Sequence, residues 1–138
     1  MQIGLCEFLA KVAKLKKTQE KIDAIKANDS IQLRIILQGA FDPNVVWLLP
    51  EGEPPYKPND LVDQEHVLIR ECEKLRYYIK GFYDNLPQAK RESMFVELLE
   101  RVAPEDAKLL CAIKDKKLPF NGITINHVKE GLPGLIVE

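Results

Sequence analysis

Between Asp42 and Asp60 the chain carries five prolines and one glycine, and no continuous helix passes through such a stretch. Proline has no amide proton to give the helix ladder, and its ring crowds the preceding turn. The break leaves helical patterning on either side of an irregular segment at 42–60. With 138 residues, 46% of them hydrophobic and 30% charged, such a chain buries a core without disulfides or a structural metal. The expectation is one all-α domain over 1–138, of about six or seven helices, with a proline-rich extended loop at 42–60 and short connections that favour antiparallel neighbours.

Upstream of the break, Leu5, Phe8, Leu9 and Val12 fall at helical spacing and predict a helix over 3–16. Thr18 is placed to cap a second helix with Ile22 and Ile25 inward. Asp29 and Gln32 have the spacing of a capping box, opening a third helix that is apolar on several sides and reads as the central, buried one. Gly39 and Asp42-Pro43 stop it. Val45–Leu49 reads as an edge strand or, preferably, as an extended piece packed on helices, because no strong partner strand is visible. Trp47, the only tryptophan, is expected to pin it to the core.

Downstream, Leu68, Cys72, Leu75 and Ile79 form one stripe and predict a long helix over about 62–80. Pro87 suits the first turn of the next, whose inward face is Phe95, Leu98, Leu99 and Val102. Pro104 opens another, with Glu105 and Asp106 where the helix dipole favours negative charge and Lys114, Lys116 and Lys117 where it favours positive charge. Thr124 caps a last short helix, with Ile123 and Val128 spaced as a hydrophobic staple. The tail Leu135-Ile136-Val137 is expected to dock on the body. Residues 18–41 and 88–120 both read helix, capped break, helix; two helical hairpins produce such an echo without duplication.

Few chemistries find support. Cys6, Cys72 and Cys111 are odd in number, far apart and set among apolar neighbours, so they read as reduced core thiols in a cytoplasmic setting. His66 and His127 lie 61 positions apart and outside any metal spacing; both read as solvated residues near helix starts. The glycines form no phosphate-cradling loop, and no nucleophile has a recognisable base. No metal, no cofactor and no enzyme activity are expected, although among 21 acidic residues some carboxylate pair must be close. Met1–Leu5 lacks a basic leader, and Glu7 and Lys11 interrupt the apolar stretch, so neither a signal peptide nor a membrane span is expected.

Two surfaces remain. Pro54-Pro55-Tyr56-Lys57-Pro58 favours polyproline geometry and, with Trp47, is a candidate recognition strip; the alternative is a stiff connector. Tyr77, Tyr78, Phe82 and Tyr83 either belong to the core or build a partner-binding patch with Tyr56. Lys14, Lys17 and Lys21, with Lys114, Lys116 and Lys117, track phosphates if they share one face; a solvated helical face is the preferred reading, since no aromatics interleave with them.

The stretches Asn28–Arg34, Leu37–Val45, Pro54–Asp60, Pro104–Lys108, Lys116–Phe120 and Gly131–Leu135 resemble a family of small uncharacterised proteins of tailed bacteriophages, chiefly myoviruses of marine hosts. The resemblance runs from about residue 20 to the end. It implies a viral origin and a bacterial cytoplasm, and it transfers no catalytic residue. The leading expectation is therefore a non-enzymatic phage accessory protein that binds a host or virion protein. A nucleic-acid-binding accessory factor comes second and a small enzyme with an unrecognised carboxylate site third; self-association is a further option.

Overall fold

In the computed structural model, which describes residues 4–61 and 64–136, the helical periodicity becomes seven α-helices. They are α1 (Leu5–Ala13), α2 (Thr18–Ala27), α3 (Ile31–Phe41), α4 (Glu65–Glu71), α5 (Gln88–Arg101), α6 (Pro104–Lys114) and α7 (Ile125–Gly131). A 3₁₀ segment, Cys72–Tyr78, continues α4. Among the described residues there is no strand, only an isolated antiparallel bridge between Trp47 and Ile79. The fold is all-α, and 42–60 is irregular as expected. Ile3, Val62, Asp63 and Val137, at the edges of predicted elements, lie outside the described residues. No helix among the described residues is long and apolar enough to cross a membrane.

One core joins the helices. Leu9, Ile25, Ile36, Leu68, Leu99 and Ile113 come from six different helices and are all but inaccessible, and Val128 adds α7. Cys6, Cys72 and Cys111 are free and buried in it. Burial pushes all three thiols well above their usual range, Cys72 to about 12 and Cys111 to about 11, so they stay protonated and unreactive.

The central helix is α6 rather than α3. Eight of the eleven residues of α6 are buried, including Asp106 and Lys114, whereas Ile31 of α3 is 61% exposed. The charged residues of α6 disguise it as a surface helix in the sequence. Asp106 does more than complement its own dipole. The Cys6 amide, at the start of α1, donates to its Oδ1 at 3.1 Å. Gly4 caps α1 without a side chain, so a carboxylate 100 residues away supplies the acceptor.

Several local expectations shift. The helix predicted over 3–16 spans Leu5–Ala13. Thr18 is the first helical residue of α2, behind an N-cap at Lys17, and caps nothing. Ser30, not Asp29, caps α3: its hydroxyl accepts from the Leu33 amide at 3.1 Å. Asp29 instead takes the Arg34 guanidinium in a two-pronged contact at 2.6 and 2.7 Å. The single helix predicted over 62–80 tightens at Cys72 into the 3₁₀ form, in which residues three apart share a face. Cys72, Leu75 and Tyr78 are the buried residues there, and the ring of Tyr78 meets Phe95 edge-on at 5.3 Å. α5 and α6 pack on each other while α2 packs chiefly on α7, so the two halves of the sequence echo are not matched hairpins.

The C-terminal part seats as expected. Ile123 and Val128 are both in the core, Leu135 is buried, and its carbonyl accepts from the Gln38 side chain at 3.3 Å. His127, expected to be solvated, is buried. Its Nδ1 accepts from the Thr124 amide at 3.0 Å, which makes it the third-position partner in the cap of α7. Burial, then the charge of Lys21, pushes its pKa below 6.5. The unfolded chain therefore takes up this proton at a higher pH than the folded chain does. The contribution of the neutral ring is complete above pH 6.5 and drains away as pH falls below it. Urea midpoints should fall further between pH 7.5 and 5.5 for the wild type than for His127→Gln, which keeps a capping side chain and does not titrate; equal slopes would refute this assignment.

Candidate functional site

The segment 42–60 is sewn to the helices along its whole length. At its start, Asp42 ends α3 and its Oδ1 accepts from the Asn44 amide at 2.9 Å, a local turn that points the chain away from the helix. Lys116 has a positive φ of 64°, and this places its ammonium among three main-chain carbonyls, Gly39, Asp42 and Val45, at 2.9, 2.6 and 3.0 Å. Trp47 lies on α3, its Nε1 donating to the Gly39 carbonyl at 3.0 Å. Only glycine permits this approach, because a Cβ at 39 would stand 2.7 Å from the indole Cζ2. The Leu48 amide donates to Tyr78 O at 2.7 Å and the Lys80 amide to Val46 O at 2.9 Å, forming the one bridge in which Trp47 takes part. Val45–Leu49 is thus an extended piece with a partner after all, at Ile79.

From Leu48 onward the segment becomes a strap along α5. The Gln88 side chain donates to Leu48 O at 2.8 Å, Lys114 Nζ to Pro50 O at 2.9 Å, and the Gly52 amide to Asp115 at 3.1 Å. At the far end the Lys57 amide donates to Glu100 at 2.8 Å, and Asn59 Nδ2 donates to Arg101 O at 2.8 Å. From Gln88 to Arg101 the helix rises about 20 Å. The residues from Leu48 to Asn59, fully extended in polyproline geometry, would cover about 34 Å. The strap is longer than the span it crosses, so it bows, and Gly52 at φ 90° takes up a bend.

The bow encloses a groove of about 500 Å³ between the strap and α5. Its apolar lining is Leu49, Pro54, Pro55, Phe95 and Val96, and its carboxylates are Glu51, Glu53, Glu92 and Glu97. These acidic residues were not singled out in the sequence. The only available signal was that two come from the proline segment and two from the polar face of α5, and nothing in the linear order shows that the two face each other.

The sequence-predicted residues divide into anchors and outward groups. Trp47 and Tyr56 are half-buried and pack against the core: Trp47 pins the segment as expected, whereas Tyr56 is not the exposed aromatic of a recognition strip. The phenol of Tyr56 is pushed up to about 12, by burial first and then by Glu53, which also accepts its hydrogen bond. Pro54 is half-buried; Pro55, Lys57 and Pro58 face solvent. Tyr56 also stays apart from the other aromatics. It neighbours Lys57, which is fastened at the last turn of α5, whereas Tyr77 and Tyr83, with ring centroids 4.4 Å apart, are held through their carbonyls by Arg91 in its first turn. Phe82 beside them is 58% exposed, with the Arg76 guanidinium 5.8 Å above its ring.

Half of the predicted lysine set is committed elsewhere. Lys21 Nζ donates to Gly122 O at 2.6 Å, Lys114 is buried against Pro50 and Asp115, and Lys116 holds its three carbonyls. Lys14, Lys17 and Lys117 are exposed. His66 is exposed as well. The buried Glu71 gathers Lys74 at 2.8 Å, Arg101 at 3.7 Å and Arg70 at 3.9 Å; the Lys74 hydrogen bond leads in holding its pKa low, and its role is to join α4 to the end of α5. The thiols and the Tyr56 phenol are thus neutral, and the groove is walled by carboxylates.

Residues 8–119 match the model of a family described as of unknown function, DUF6433. No curated protein and no solved structure matches the chain.

Proposed function

We propose that this chain, which belongs to the DUF6433 family, is a non-enzymatic accessory protein of a tailed bacteriophage. In this reading it works in the cytoplasm of the infected bacterium by binding another protein, of host or virion. The observation that carries this reading is the strap. It is extended, rich in proline and, with Trp47 before it, hydrogen-bonded to the helices as far as Asn59. A recognition edge ordered before its partner arrives loses little conformational freedom on binding. It presents Lys57 and Pro58 to solvent, with Pro55, exposed as well, at the rim of a groove. The phage origin rests on the resemblance of its stretches to phage proteins. The nucleic-acid reading is weakened because Lys21, Lys114 and Lys116 spend their ammoniums on main-chain carbonyls instead of facing phosphates.

The test is affinity capture of the tagged chain from lysates of infected and uninfected host cells, beside a variant carrying Pro55→Gly, Lys57→Ala and Pro58→Gly. A discrete protein enriched on the wild type and lost on the variant supports the reading. Capture of nothing beyond the tag control removes it, and capture of nucleic acid that salt releases would replace it with the lysine-based alternative.

A further inference from the structure

We infer that the groove between the strap and α5 receives an extended segment of the partner protein that carries lysine or arginine at alternate positions. The inference rests on the binding role proposed above and names the chemistry of what is bound. Its basis is charge complementarity across a cleft that has room for side chains. At about 500 Å³ the groove lies within the range of ligand clefts, and Leu49, Pro54, Phe95 and Val96 give it an apolar lining.

The electrostatics select the sign of the ligand. Glu51, Glu53, Glu92 and Glu97 line the groove, and none of them takes part in a salt bridge among the described residues. Among the described residues Lys114 is the one cation lining it, and its ammonium is already bound by Pro50 O and Asp115 at 2.9 Å each, its side chain 1% exposed. The groove therefore presents uncompensated negative charge beside low-dielectric walls, which concentrate the field. An anionic or neutral segment gains nothing from it. A bare metal ion is a poor fit too, because no three of His, Cys, Asp and Glu converge among the described residues. A long cationic side chain suits it, since Lys and Arg lay aliphatic stems on apolar surface while the charged head reaches carboxylates. Two such side chains at alternate positions of one extended segment project to the same side, and so meet Glu51 and Glu53 on the strap and Glu92 and Glu97 on the helix, their aliphatic stems lying on the apolar lining.

The probe is a fluorescein-labelled peptide in which arginines alternate with leucines, compared with its glutamate-for-arginine counterpart by fluorescence anisotropy. The protein is used whole, as wild type and as the double variant Glu92→Gln, Glu97→Gln. Glu97 is exposed and Glu92 half-buried, neither belongs to the core, and the variant's melt should match the wild type. The arginine peptide should bind, the glutamate peptide should not, and the double variant should bind about tenfold more weakly, with affinity falling as salt rises. Equal binding by the double variant, or no binding of the arginine peptide, overturns the inference. So does spermidine binding as tightly as the peptide, or a wild-type dimer in sedimentation that the double variant dissolves, since a free amine or a second copy would then be the occupant. The capture experiment separates this inference from the reading beneath it. A partner still captured by the double variant removes the groove and leaves the binding role, whereas no partner on any form removes the role itself.

Discussion

Replacing Asp106 by alanine should lower the free energy of unfolding by about 3 kcal/mol, the range expected when a buried, charged acceptor is taken from a main-chain donor. The side chain is 1% exposed and serves two helix starts. It sits in the first turn of α6, and its Oδ1 accepts from the Cys6 amide in the first turn of α1. Both helices present unpaired amides and positive dipole ends there, so a single carboxylate satisfies a donor and complements two dipoles. Asp106→Asn keeps the volume and one acceptor but loses the charge, and should cost about half as much. Urea unfolding of the two variants measures the difference. A loss below 0.5 kcal/mol for alanine would mean that α1 finds its acceptor elsewhere, and the trans-capping account would fall.

Arg91→Met should destabilise by a comparable amount, about 3 kcal/mol, for a different reason. The guanidinium is 4% exposed, and none of its three partners is a carboxylate. Nε donates to Tyr77 O at 3.0 Å, Nη2 to Tyr83 O at 2.9 Å and Nη1 to the Gln88 side chain at 2.6 Å. The fork thus gathers carbonyls from the end of the 3₁₀ segment and from the turn after it, and joins both to the first turn of α5. Methionine fills the volume and leaves those carbonyls facing apolar atoms. Lysine carries the charge but cannot reach both carbonyls in the plane of a fork, so Arg91→Lys should fall between the two. The loss should appear in global unfolding and also as faster hydrogen exchange at the Leu48 and Lys80 amides, whose bridge lies beside this turn. Unchanged exchange at those amides would show that Arg91 holds only its own helix.

The helices were readable because their signals are local. Leu5, Leu9 and Val12, or Phe95, Leu98 and Leu99, carry their spacing within a few residues, and Pro104, Thr124 and the Ile123–Val128 staple mark helix starts by short-range chemistry. What escaped depends on partners remote in sequence. Asp106 and Lys114 look like surface charges because the groups that satisfy them, the Cys6 amide and the Pro50 carbonyl, lie 100 and 64 positions away. The change to 3₁₀ geometry at Cys72 escaped because a repeat of four and three residues suits an α-helix, and only the inward Tyr78 gives it away. The proline segment was recognisable as extended, but an extended chain has no periodicity to say which surface it meets. Its place on α5 is set by Gln88, Glu100 and Arg101, none of which is distinctive by itself. The groove followed the same fate, being walled by two stretches some forty residues apart.

The fastenings of residues 42–60 bear on the order in which a nascent polypeptide can acquire this structure. Their partners lie almost wholly downstream, from Tyr78 O through Gln88, Glu100 and Arg101 to Lys114, Asp115 and Lys116. At the moment Asp60 is added to the growing chain, none of these groups has yet been synthesised, and the last three follow more than fifty residues later. The proline strap is thus among the last parts to set, and chains halted in translation before Lys114 would carry these prolines without the shape they later impose.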